Sequence, residues 1–96
     1  MTDPLLLEPI LDIKAAAPLQ GALLARRGQA VEIDGSAVQR LGALCLQVLI
    51  SAHRTWADDG APFTIAPRSE ALDDALRQFG ACARLDLQPL NPVEMR

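Results

Sequence analysis

The chain has 96 residues, half of them hydrophobic, and a net charge of −3. That length fits one domain near the lower limit of what folds unaided, and the apolar content excludes a disordered chain. Its nine Lys and Arg residues are scattered, with Arg26-Arg27 the only adjacent pair, so the basic stripe of a nucleic-acid binder is missing.

The opening, MTDPLLLEPILDI, carries Asp3 and Glu8 where a secretory leader has Lys or Arg. "LLLEP" and "ILDI" predict two short extended pieces, a truncated hairpin broken at Pro9 because proline supplies no ladder donor. "AAAPLQGALLARRG" predicts a helix: Pro18 suits a first turn, Leu19, Leu23 and Leu24 share a face, and Arg26-Arg27-Gly28 form a basic last turn with a terminating glycine. "AVEID" is a strand with Val31 and Ile33 on one face, followed by an Asp34-Gly35-Ser36 turn.

The longest predicted helix runs from about Val38 to Asp58, ended by "DDGAP". "FTIAP" is the next strand, and Ser69 is the expected N-cap of "EALDDALRQFG", with Glu70, Asp73 and Asp74 toward its start and Gly80 closing it. "ARLDL" reads as a last edge strand and "QPLNPVEMR" as a frayed tail. The fold class is therefore α/β: a mostly parallel sheet of four to five strands with helices packed against it. One domain is expected over 1–96, with its core at about 10–83 and the last strand and tail at 84–96. The aromatics are Trp56, Phe63 and Phe79, so Leu, Val, Ile and Ala must build the core.

At 100° per residue, Leu41, Leu44, Cys45, Val48, Leu49, Ala52 and Trp56 of the long helix fall on one broad side, widened by Leu46, Ile50 and His53. Arg40, Ala43, Gln47, Ser51, Arg54 and Asp58 step along a narrow stripe, the one expected to meet solvent. A charge placed at Val48 is expected to unfold the domain. The apolar run Leu41–Ala52 contains Gln47 and is far shorter than the roughly 20 residues that span a bilayer, so no membrane insertion and a cytoplasmic location are expected.

A helix start that follows a strand offers free N–H groups and the positive end of the helix dipole, where a Ser or Thr accepts a phosphate or binds one. Here the position holds Ala43, which does neither, after Gly42, which leaves the backbone open to close approach. The alternative is that both are small simply to let helix and sheet pack closely.

The stretch from Val31 to Gly80, "VEIDGSAVQRLGALCLQVLISAHRTWADDGAPFTIAPRSEALDDALRQFG", resembles a STAS domain, the fold of bacterial anti-sigma factor antagonists. The resemblance extends over about Ile10 to Ala83 and rests on order and pattern. It implies a switch motif, Asp-Ser-Ser-Gly-Leu-like, at the start of the long helix. Gly42 falls where the family has Asp, Ala43 at the phosphorylatable Ser or Thr, Leu44 at the next Ser, Cys45 at Gly and Leu46 at Leu. The family fold is implied and the kinase-controlled switch is not. Degenerate stand-alone domains of this "LGALxLQVL" type resemble those found with bacterial chemotaxis components.

The expected function is a non-enzymatic adaptor of bacterial signalling. Its partner would be a regulatory protein, a signalling kinase or an anti-sigma-like factor, bound through Ser36, Gln39, Arg40, Gly42, Ala43, Leu44 and Gln47. The alternative is a regulatory subunit of a bacterial lipid-transport ATPase. A small-molecule sensor is a weaker third reading. Ser36 is a minor candidate for phosphorylation, with turn formation favoured. His53 lacks a nucleophile within expected reach, Asp34 suits turn chemistry, and Asp58-Asp59 and Asp73-Asp74 suit solvated roles. Cys45 and Cys82 stand far apart without neighbouring His, so reduced thiols and no metal or other cofactor are expected.

Overall fold

Alternation of apolar and polar residues places the central strand. Val31 and Ile33 are buried while Glu32 between them is exposed. A computed structural model describes residues 3–81 and Leu85. Cys82, the expected last strand apart from Leu85, and the tail lie outside the described residues. Leu85 is buried, its N–H donating to the Ala81 carbonyl at 3.0 Å. The elements are β1 (Leu5–Leu6), β2 (Ile10–Leu11), α1 (Ile13–Leu24), β3 (Val31–Gly35), β4 (Arg40–Leu41), α2 (Ala43–Asp59), β5 (Phe63–Arg68) and α3 (Glu70–Gln78).

All the described strand pairings are parallel. A three-stranded sheet runs β1-β3-β5, with Leu5 opposite Ile33 and Ile33 opposite Ile65. β2 and β4 form a separate pair, Ile10 opposite Arg40 and Leu11 opposite Leu41. Five strands lie among the described residues, within the expected four to five, but they are divided between two sheets. One of them, β4, falls where a helix was expected. β1 and β2 do not form a hairpin: the chain steps from one sheet to the other at Glu8-Pro9. The Pro9 carbonyl there accepts from the N–H groups of Gln39 (2.7 Å) and Arg40 (3.1 Å).

Two helices, α1 and α2, differ from expectation at their starts, while α3 begins after Ser69 as expected. α1 begins at Ile13 because Asp12 caps it, its carboxylate accepting from the Lys14 N–H at 3.0 Å. Pro18 consequently sits inside the helix, on its exposed side, and not in the first turn. Arg26 and Arg27 fall beyond the helix end, where Arg27 pairs with Asp59 at 3.1 Å and Gly28 takes a φ of +88°.

α2 begins at Ala43, five residues later than expected. Arg40-Leu41 is held extended by β2, so the apolar Val38 is buried in the connection and not in a helix. Gly60, with a φ of +70°, ends α2 as a left-handed cap. α3 is capped by Ser69, whose hydroxyl oxygen accepts from the Leu72 N–H at 3.0 Å. The same hydroxyl donates to the Val38 carbonyl at 2.5 Å and so ties the helix to that connection.

Leu, Ile and Val fill the core, with Ile33, Cys45, Leu49, Leu72 and Leu76 fully enclosed. Val48 is half-buried, on the rim of the core and not within it. His53 stacks edge-on against Phe63 with ring centroids 5.6 Å apart, and Phe63 meets Trp56 in turn at 6.0 Å. The Trp56 indole N–H donates to the Gln29 carbonyl at 2.6 Å, which satisfies its polar atom inside the core.

Candidate functional site

The start of α2 is seated by backbone. Gly42 is the N-cap residue, extended at φ −90° and ψ 167°, and no side chain caps the helix. Its N–H donates to the Leu11 carbonyl at 2.8 Å, while its own carbonyl accepts from Leu46 at 3.1 Å. A Cβ at Gly42 would lie 3.1 Å from the Leu11 carbonyl oxygen, so the residue type follows from the close approach of β2. The remaining N–H groups of the first turn have no intrahelical acceptor.

Ala43 is exposed on this turn, and Leu44 beside it is 49% exposed. Gln47 follows one turn on, also exposed, and Arg40 and Gln39 are exposed just before the helix. Gln39, Arg40, Ala43, Leu44 and Gln47 are thus each exposed, in β4 and the residue before it and in the first turns of α2, and Gly42 is half-buried. Of the expected stripe, Ala43, Gln47, Ser51, Arg54 and Asp58 lie on α2 and are exposed along its length, while Arg40 is exposed in β4 and not on the helix.

Ser36 stands apart. Its hydroxyl donates to the Asp34 carboxylate at 2.6 Å and its N–H donates to the same oxygen at 2.9 Å, closing an Asx turn after β3. These two hydrogen bonds hold the Asp34 carboxyl below its ordinary pKa. No hydrogen bond joins Ser36 to α2 among the described residues. The Cys45 thiol is buried beneath the helix start, donating to the Asp12 carbonyl at 3.3 Å, and burial pushes its pKa up.

Sequence patterning missed one surface. Leu24, aligned with Leu19 and Leu23 as a core residue, is 57% exposed, while Leu23 is buried. Adjacent leucines lie 100° apart on a helix, so only one of Leu23 and Leu24 faces the core squarely. Among the described residues no helix is long and apolar enough to cross a membrane.

Parallel strands joined through helices, with an uncapped helix start open beside a strand pair, define a small α/β domain. The chain belongs to the STAS family: the family model described as "Mlab, STAS domain" matches residues 3–88. STAS domains are in general regulatory modules that work by protein–protein interaction. No curated protein and no solved structure matches the chain.

Proposed function

We propose that this protein is a non-enzymatic adaptor of bacterial cytoplasmic signalling, anti-sigma-antagonist-like or chemotaxis-associated. It binds a regulatory kinase or anti-sigma-like factor through the surface of Gln39, Arg40, Gly42, Ala43, Leu44 and Gln47, with Ser36 at the margin. The observation that carries this reading is Ala43: it is exposed at the uncapped start of α2 and offers a partner the backbone but no hydroxyl. Binding is then constitutive, or is controlled through the partner. The test is affinity capture from the source cells, with wild type and Ala43→Glu compared side by side. Loss of a signalling partner from the variant supports the reading; partners indifferent to the substitution sink it.

A second reading is a regulatory subunit of a lipid-transport ATPase, another setting in which STAS domains serve. The description of the matched family, Mlab, is the observation on its side. Recovery of a transport ATPase in stoichiometric amount by the same capture would favour it.

A further inference from the structure

The connection of residues 36–39 between β3 and β4 leads into Arg40. It leaves Ser36, Gln39 and Arg40 exposed while the Val38 side chain is buried. Backbone holds it at two points. The Gly35 carbonyl accepts from the Val38 N–H at 3.3 Å, and the Pro9 carbonyl accepts from the N–H groups of Gln39 and Arg40. A third hold comes from the start of α3. The half-buried Ser69 donates its hydroxyl proton to the Val38 carbonyl at 2.5 Å and its N–H to the Gly35 carbonyl at 3.0 Å.

One hydroxyl thus serves two elements, because a serine can accept with its oxygen while giving its single proton. The oxygen caps α3 through the Leu72 N–H, and the proton goes to Val38. A cap that only accepts, such as a carboxylate, would start α3 equally well. It would leave the Val38 carbonyl without that donor, beside an enclosed side chain. Serine therefore does more than the helix start requires. Leu72 adds to this hold: it fills the space that a Cβ on Gly35 would take, so α3 leans on the root of the same connection.

We infer that Ser69 is a positioning residue for the partner face: its hydroxyl holds the Val38 carbonyl and so fixes the conformation in which Ser36, Gln39 and Arg40 are presented. It acts through Val38 and not by touching the partner. This rests on the reading of those residues as part of the partner-binding surface.

Three substitutions separate the cap from the hold. Ser69→Thr keeps the hydroxyl. Ser69→Asp keeps an acceptor for the Leu72 N–H but has no proton for Val38 at neutral pH. Ser69→Gly, well tolerated at an N-cap, removes the side chain without adding charge and carries the test if the Asp variant does not fold. Amide hydrogen exchange is read by NMR at Val38, Gln39 and Arg40, with Val31 and Leu46, hydrogen-bonded elsewhere in the fold, as references. In the Asp and Gly variants the three amides of the connection are expected to exchange roughly five- to tenfold faster, the scale of one lost hydrogen bond, with the references unchanged. Ser69→Thr is expected to match wild type. Unchanged exchange in the connection, or an equal rise at the references, overturns the inference.

Capture from the source cells separates this inference from the reading beneath it. Ser69→Asp is expected to lower partner recovery severalfold, and Ser69→Thr to leave it at the wild-type level. Loss with both Ala43→Glu and Ser69→Asp supports both ideas. Loss with Ala43→Glu alone overturns the positioning role and leaves the helix start as the face. Loss with Ser69→Asp alone supports the positioning role and moves the contact from the helix start to the connection. Retention with both variants overturns both ideas, and loss with Ser69→Thr as well overturns the positioning role.

Discussion

The Gly42 N–H donates to the Leu11 carbonyl at 2.8 Å, and the same oxygen would meet a Cβ on Gly42 at 3.1 Å. One short contact therefore fixes where α2 starts and restricts what can stand there. A Cβ on Gly21, inside α1, would meet no atom within 4 Å. Gly21→Ala is expected to raise stability by roughly 0.5–1 kcal/mol through helix propensity. Gly42→Ala is expected to lower it, because the crowding atom is backbone held in a strand pair. Urea unfolding of both variants checks the order, and a stabilised Gly42→Ala would mean that β2 yields.

Ala43→Glu is expected to fold at least as stably as wild type. The side chain enters solvent, and a carboxylate near a helix N-terminus is favourable by roughly 0.3–1 kcal/mol. A thermal melt that drops by several degrees would show that the position is packed and not open. The variant is informative for binding only if that melt is preserved.

Leu49 and Val48 are adjacent but unequal: Leu49 is fully enclosed, while Val48 is half-buried on the rim of the core. Leu49→Ala is expected to cost about 2–5 kcal/mol, and Val48→Ala clearly less. Leu49→Asp is expected to leave no folded protein, since a lone buried charge costs several kcal/mol against a total of roughly 5–15. Val48→Asp is expected to fold in part. Circular dichroism of the two Asp variants distinguishes them.

Asp34 gives a pH signature. Its folded pKa is depressed by the two hydrogen bonds from Ser36, so it contributes stability above its unfolded value of roughly 3.9. That contribution is lost as pH falls through the lower folded value. Ser36→Ala removes the hydroxyl bond and is expected to be less stable than wild type at neutral pH, with the gap closing below the carboxylate range. A gap that stays constant to low pH would show that Ser36 acts through something other than Asp34.

The sequence signals what short-range periodicity and capping chemistry control. Ser69 as the cap of α3, Gly60 and Gly28 at positive φ, and the exposed stripe of α2 from Ala43 to Asp58 all follow from residue type and spacing. What it does not signal depends on partners distant in the chain. Arg40-Leu41 looks helical alone, and is a strand only because Ile10-Leu11 lies alongside it. The late start of α2 follows from that pairing, as does the division of five strands between two sheets. Pro18 falls inside α1 because Asp12, extended by its neighbours' pattern, is the cap that starts the helix early. Leu24 escapes the pattern because periodicity shows an apolar arc without showing which edge of it a neighbouring helix covers.

The seating of Trp56 equips the protein with its own optical reporter. It is the sole tryptophan, 1% exposed, with its indole nitrogen hydrogen-bonded to Gln29 and its ring against Phe63. Folded protein should emit toward the blue, and unfolding should shift emission to the red in a single-source signal that needs no added dye. Changes in wavelength would then report loss of the fold, and changes in intensity at constant wavelength would report rearrangement around a ring that stays buried.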